Sequence, residues 1–321
     1  MIRLKKVCLF LLLPFLILAC SGSSNSPLSK WMHEGPQLKI LSTTAQIGDL
    51  VSTIGGQRVD GWVLIQGDLD PHSYELVKGD GEKLDRADLI FYNGLGLEHG
   101  ASLLDRLHNL PKAVNIGDKI NKDHPGLILK KKERVDPHIW MDVSLWQKAI
   151  DPIVSELSRL DPEGASFYAS QGEALFQRME KAHGRLHALL QEIPSKQRYL
   201  VTSHDAFHYF TRSYLSDPGE LNWTDRFAAP EGLAPDGQLN PMDIQKIIDF
   251  LRVHEITVLF PESNVSHDSI KKIARAGKEL GLEIQICSEP LYGDSMSGLN
   301  YLEMMERNGD VIARHLKKVN E

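Results

Sequence analysis

The sequence predicts an α/β fold of two βα lobes with parallel sheets, joined by one long rigid helix. Two stretches of alternating apolar strands and helices flank a strand-free stretch whose apolar residues recur at helical spacing. The length of 321 residues agrees, because it is too much for one small core and suits two lobes of roughly 100–150 residues.

In the first stretch, 38–41, 62–65, 89–92 and 113–116 read as strands, with helices at 46–54, 81–87 and 100–110. Each helix must return the chain to the same end of the sheet, so the pairing is expected to be parallel. Residues 144–193 carry no strand signal. Asp161-Pro162-Glu163 offers a capping carboxylate followed by Pro at the first helical position. Beyond it, Tyr168, Leu175, Met179, Ala182, Leu186, Leu189 and Ile193 share one helical face, and Pro194 ends the run. Gly172 and Gly184 are poor helix formers inside it. A helix over 162–193 would be about 48 Å long, enough to run along both lobes. Strands then resume at 199–202, 258–260 and 284–287, with helices at 205–214, 241–254, 266–280 and 299–318. The expected divisions are an N-terminal lobe over 38–143, a helical connector over 144–194 and a C-terminal lobe over 195–321.

The first residues read differently. Arg3, Lys5 and Lys6 precede an apolar run over 7–19, the pattern of a secretory leader. That run is too short to cross a bilayer core, which takes about twenty residues. Ile17-Leu18-Ala19-Cys20 resembles a bacterial lipoprotein signal, with Cys20 as the lipidated first residue of the mature chain. The alternative is a plain exported protein with an incidental cysteine. Residues 20–37, rich in Ser, Gly and Pro, read as a flexible tether. Loss of the leader removes three positive charges and takes the formal charge from −7 to −10. It also removes Cys8, leaving Cys287 with no free thiol to pair with. No intrachain disulfide is then available, the lobes must stand on their own cores, and any metal must be held by His and carboxylate.

Composition excludes two classes. With 42% hydrophobic and 25% charged residues the chain is not disordered. A mildly acidic protein without a large basic block is also poorly suited to nucleic acid.

The chain has 13 His, and three lie in turns just past predicted strands, where open α/β sheets bind their ligands. His72 and His138 each follow an Asp-Pro pair, in Asp70-Pro71-His72 and Asp136-Pro137-His138, and His204 stands in Ser203-His204-Asp205. Proline restricts its own φ and the residue before it, so the two Asp-Pro-His turns are stiff mounts for an imidazole. Asp294, in Tyr292-Gly293-Asp294, adds an oxygen donor from a fourth such turn. Taken singly, each motif is weak and reads first as a surface turn. Together, three neutral imidazoles and a carboxylate suit a divalent first-row metal.

On the runs Asp70-Pro71-His72-Ser73-Tyr74-Glu75, Asn93-Gly94-Leu95-Gly96-Leu97-Glu98, Asp136-Pro137-His138-Ile139-Trp140, His204-Asp205-Ala206-Phe207 and Leu291-Tyr292-Gly293-Asp294, the chain resembles the bacterial solute-binding receptors of zinc and manganese ABC transporters. The likeness covers nearly the whole mature chain. It implies one metal buried between the lobes, with His72 and His138 as ligands from the first and His204 and Asp294 from the second. It implies Zn2+ or Mn2+ as cargo, with Fe2+ also admitted, and partners in a membrane permease and its ATPase. The protein is then expected in the periplasm or cell envelope, as a monomer that touches the membrane only through an anchor at Cys20. His204 stands where some manganese receptors carry Glu. The segment 119–135 holds only His124, where some zinc receptors carry a long His-rich loop.

Other residues have plainer readings. Glu262, just past a strand, is the best supporting acid, and His208 is expected to pack or to support the centre by a hydrogen bond. His183 and His187 are expected on a solvated helix face, His99 at a helix start and Lys130-Lys131-Lys132 in an exposed loop. Two rival functions use the same residues. A metallohydrolase would need Glu262 as a base beside an open coordination position, and a surface adhesin would carry its metal incidentally. Because ligating imidazoles must be neutral, metal affinity is expected to fall as pH drops through about 6.5; flat affinity in titrations from pH ~7.5 to ~5 would count against this ligand set.

Overall fold

The computed structural model describes residues 26–33, 35–131, 133–232 and 239–317. The expected leader over 1–19, Cys20 and Lys132 lie outside the described residues. Part of the expected tether is helical: Pro27–His33 form α1, within a short N-terminal unit that ends at Gly35.

From Pro36 onward the chain builds two parallel arrays of strands. In the first, β1 (Leu38–Ser42) leads through α2 (Ala45–Gly55) to β2 (Val59–Val63), and α3 (Asp80–Arg86) leads to β3 (Leu89–Tyr92). Then α4 (Ala101–Asn109) leads to β4 (Ala113–Asn115), followed by α5 (Ile116–Asp123). The order is β2-β1-β3-β4, parallel throughout. β3 is a continuous apolar run, Leu89–Tyr92, because both faces are covered, as parallel sheets require. β2 starts three residues earlier than the apolar run at 62–65 suggests; its own residues are half-buried or exposed, and the run is buried only at Leu64 and Ile65, past the strand.

A hairpin of β5 (Lys130–Lys131) and β6 (Arg134–Val135) follows, where an exposed loop was expected. Lys130 and Lys131 are exposed as foreseen, but their backbone is paired. Next come α6 (Val143–Trp146), α7 (Ile150–Leu160) and the long α8 (Ala165–Gln191), 27 residues and about 40 Å in length. Asp161 fixes its start, accepting from Arg58 at 2.6 and 2.8 Å and from the Tyr168 hydroxyl at 2.7 Å. These bonds hold the Asp161 carboxyl down to about 2. Gly172 is required rather than tolerated: a Cβ there would lie 2.8 Å from the Val154 side chain, so its absence lets α7 press against α8.

The second array contains β7 (Leu200–Val201), β8 (Phe227–Ala228), β9 (Val258–Leu259) and β10 (Gln285–Ile286). β7 pairs with β8 and β9 with β10, and a parallel bridge from Thr202 to Phe260 joins the pairs. The order β8-β7-β9-β10 repeats that of the first sheet. The expected helix over 205–214 is shorter and wider-wound: α9 covers His208–Phe210 and continues as a π turn to Leu215. α10 (Pro241–Val253), α11 (Asp268–Glu279) and α12 (Tyr301–Lys317) complete the chain.

The lobes are expected from the sequence to stand on their own cores, and the structure adds an apolar cluster common to both. While Leu41, Leu84, Ile90, Leu103 and Leu107 in the first half and Ile248, Leu259 and Ile273 in the second lie outside it, buried residues from Ile40 through Leu316 join in this cluster, which spans both halves. The cause is α12, which packs on α8 and also reaches α2 in the first half. There the Tyr301 N–H donates to Asp49 at 3.3 Å, and the Tyr301 hydroxyl donates to the Trp140 carbonyl at 2.6 Å. A shared core predicts shared unfolding. Leu186, fully buried in α8, should cost about 2–5 kcal/mol as Leu186→Ala, in a single denaturant transition that both halves follow together. Separate transitions for tryptophan probes in the two halves would contradict it.

Candidate metal centre

Three of the side chains come from the carboxyl-end rim of the two arrays, where α/β sheets place ligands, and one from the β5–β6 hairpin. His72 stands in the loop after β2 and His138 directly after β6. His204 follows β7, and Asp294 follows a parallel bridge between Glu262 and Leu291. The four come together: one donor atom from each lies within 4.8 Å of the others, and the residues are 5% exposed or less.

The donor atoms face one another across short gaps. His72 Nε2 lies 3.2 Å from His138 Nε2. Asp294 faces all three imidazoles, with His204 Nε2 at 3.2 Å, His138 Nε2 at 3.5 Å and His72 Nε2 at 3.8 Å. In a tetrahedron with metal–donor bonds of 2.0–2.2 Å, adjacent donors stand about 3.3–3.6 Å apart. The donor set, three nitrogens and one oxygen, fits a first-row transition metal by both chemistry and spacing.

Carboxylates turn two of the rings. Asp136 Oδ1 accepts from the His138 backbone N–H at 3.0 Å and from its Nδ1 at 2.7 Å. Glu262 does the same for His204, with Oε1 accepting the backbone N–H at 2.9 Å and Oε2 lying 2.7 Å from Nδ1. With Nδ1 carrying the proton, Nε2 offers its lone pair to the centre. Asp70 holds the His72 main chain, accepting its N–H at 2.9 Å. Burial pushes the His72 imidazole down to about 3, which keeps it neutral and able to ligate. For His204 burial acts the same way, but the Glu262 and Asp294 carboxylates outweigh it and hold the ring well above its ordinary value. Burial would raise Asp294, yet the charge of His204 and its hydrogen bond pull it far below the usual carboxylate range. The pocket therefore favours positive charge at its centre.

The Asp294 turn is held from both halves. Gln46 Nε2 donates to the Asp294 carbonyl at 3.0 Å and Trp140 Nε1 to the Gly293 carbonyl at 2.8 Å. Asn264 Nδ2 reaches the Asp294 carboxylate at 3.1 Å. Gly293 must lack a side chain, since a Cβ there would collide with the Glu262 carboxylate. On the other side, buried Glu98 gathers the Thr43 hydroxyl and the Asn93 and Gly94 N–H groups at 2.6–2.9 Å. Asn93 Nδ2 in turn donates to the Pro137 carbonyl at 3.0 Å, next to His138.

Other predicted residues fall elsewhere. His208 lies 3.2 Å from Asp205 and edge-on to Phe227, so it packs there rather than against a ligating ring. His183 meets the Tyr214 hydroxyl at 3.0 Å, a partner that an expected solvated face did not include, while His187 is exposed. His99 is exposed, its ring centroid 5.7 Å from that of His72. Glu262 stands behind His204, with Oε1 on its backbone N–H and Oε2 in ion-pair contact with its ring. Sequence reasoning missed Gln46, Trp140, Asn93 and Asn264 as supports. Asp136 carried a signal in its spacing to His138, but nothing local distinguishes the others.

Residues 40–315 match the family described as zinc-uptake complex component A, periplasmic. The chain belongs to this family. Its members are metal-binding transport receptors, not enzymes, and they work with the permease and ATPase components of ABC transporters. The metal-binding protein YtgA of Chlamydia pneumoniae is 36% identical over 305 residues, covering 94% of this chain and 93% of that protein. The manganese-binding lipoprotein MntA of Bacillus subtilis is 30% identical over 287 residues, covering 88% of this chain and 90% of that one. Among solved structures, Fe(III)-bound YtgA from Chlamydia trachomatis superposes with a TM-score of 0.84 at 36% identity, covering 87% of this chain and 98% of that one. No helix among the described residues is long and apolar enough to cross a membrane.

Replacing Glu262 by Gln keeps the size but changes how Nδ1 of His204 is held. Loss of a carboxylate behind a ligating imidazole costs about 10–100-fold in metal affinity. Glu262→Gln should therefore weaken binding by that factor in a chelator competition; wild-type affinity would show that Glu262 does not act through His204.

Proposed function

We propose that the chain is an exported receptor that captures one transition-metal ion with His72, His138, His204 and Asp294 and delivers it to an ABC permease. The observation that carries this reading is the convergence of four buried donors within 4.8 Å, drawn from both halves of the chain. No bond is made or broken in such a cycle. ATP hydrolysis belongs to the partner subunits, and the receptor has only to bind and let go.

The cargo is zinc, manganese or iron. The family is described by zinc uptake, one relative is named for manganese and another is solved with Fe(III). The segments 38–143 and 195–321 act as the two lobes about 144–194, and a small displacement between them opens the coordination shell. One chain supplies all four donors, so a monomer suffices. In the cell envelope, Cys20 is the lipid attachment point, a reading supported by the leader pattern and by the naming of the Bacillus subtilis relative as a lipoprotein.

Protein purified without added metal should carry close to one transition-metal ion per chain by elemental analysis. His204→Ala should lower its affinity by more than about 100-fold, beyond the effect of losing a supporting residue. Metal retained at wild-type affinity in that variant would remove the assignment. The mass of the mature N-terminus reports directly on Cys20.

A further inference from the structure

The segment that follows His204 is sewn to the segment that surrounds His138. The hairpin of β5 and β6 closes with the Asp136 N–H donating to the Leu129 carbonyl at 3.0 Å. In a regular antiparallel pair the Leu129 N–H would donate directly to the Asp136 carbonyl in return. Here the Tyr209 hydroxyl stands between them: it accepts from Leu129 N–H at 2.9 Å and donates to the Asp136 carbonyl at 2.9 Å. Tyr209 is fully buried, and Asp136 is the residue that orients the His138 ring.

Four neighbouring contacts run the same way. Lys131 pairs with buried Asp205, the residue after His204. Arg212 donates to the Leu127 carbonyl at 3.1 Å and lies over the Tyr209 ring. The Ser213 hydroxyl donates to Asp142 at 2.5 Å, and the Val143 N–H donates to the Tyr214 hydroxyl at 3.1 Å. Residues 205–214 thus bind residues 127–143 on both sides of His138, and the two histidine turns are mechanically one piece. None of these contacts touches the metal-binding atoms.

We propose that the hairpin over 127–136 is a clasp that couples the His138 and His204 turns, with Tyr209 as its positioning residue, and that the clasp slows escape of the bound ion. The proposal rests on the receptor reading above and adds to it how the ion is retained. Removing the Tyr209 hydroxyl frees the Leu129 N–H and the Asp136 carbonyl, so the His138 turn loses its tie to the segment behind His204. Lys131 is half exposed, so its contribution is screened by salt, whereas that of Tyr209 is not.

The test is the dissociation rate of Zn(II) from the loaded full-length protein into excess chelator, followed by stopped flow. Tyr209→Phe should release zinc at least about tenfold faster, the lower bound for loss of an outer support of a metal ligand. Lys131→Met should release it about two- to threefold faster and should remove the salt dependence seen in the wild type. Tyr168→Phe removes a buried hydroxyl bond far from the site, at Asp161, and should leave the rate unchanged while lowering thermal stability. Release from Tyr209→Phe at the wild-type rate would overturn the clasp alone, as would equal acceleration in Tyr168→Phe. Should Tyr209→Phe fail to fold, Lys131→Met decides, and a wild-type rate with unchanged salt dependence overturns the clasp. Failure of the wild type to bind zinc, manganese or iron would overturn the receptor reading and the clasp with it.

Discussion

His72 and His138 point Nε2 at Nε2 across 3.2 Å, in a site shielded from water, with the Asp294 carboxylate close to both. One neutral ring can donate an Nε2 hydrogen to the other, but that leaves the buried Asp294 Oδ1 without a hydrogen-bond partner, at a cost. Positive charge at the centre satisfies the whole set. A proton shared with His204 relieves part of the cost, and a metal ion relieves all of it by taking one lone pair from each group. Other features follow from meeting this one demand. Asp136 and Glu262 must occupy Nδ1 so that Nε2 is free. The two Asp-Pro-His turns must be stiff, and Gly293 must be bare so that the Asp294 turn can reach Glu262 and His204.

The fold answers the demand by using one rim twice. The strand orders β2-β1-β3-β4 and β8-β7-β9-β10 are the same arrangement, and in each the outward crossovers part at the first strand. Loops that leave that point have room to project, which is why ligands and their supports issue from both. Bringing two rims to one ion calls for a brace, and α8 supplies it with α12 lying across it. The resulting core is continuous, so any motion between the halves is resisted by packing as well as by coordination.

The parts of this arrangement that were legible in the sequence are those written locally. Asp-Pro-His states both the stiff turn and the orienting acid within three residues. The spacing of Tyr168, Leu175, Met179, Ala182 and Leu186 states the buried face of α8. β8 is two residues long and pairs only through the backbone of β7, so no periodicity could mark it. The π turn over Thr211–Leu215 follows from where Tyr209 and Tyr214 must place their hydroxyls on the His138 segment, a tertiary requirement. The supports from Gln46 and Trp140 are equally long-range: each holds an atom about 150–250 residues away in sequence. The cluster shared by the two halves is hidden for the same reason, because helical periodicity tells which face of α12 is buried but not against which half.

These long-range supports also bear on which ion is carried. Nitrogen-rich donor sets favour zinc over manganese by intrinsic affinity, yet the family includes a protein named for manganese and one solved with Fe(III). Donor identity ranks the ions by affinity but does not by itself set how each is held. What remains is the freedom of the donors to spread: a larger, higher-coordinate ion needs longer bonds and wider angles than a four-coordinate one. In this chain that freedom is set by groups that never touch the metal. Asp136 and Glu262 fix two rings, Gln46 and Trp140 fix the backbone of the Asp294 turn, and Tyr209 ties the His138 turn to the segment behind His204. On the proposed reading, selectivity and retention rest on the same residues. A substitution that loosens one of them should relax the choice of ion as well as its rate of escape, since both are governed by how rigidly four donors are held apart.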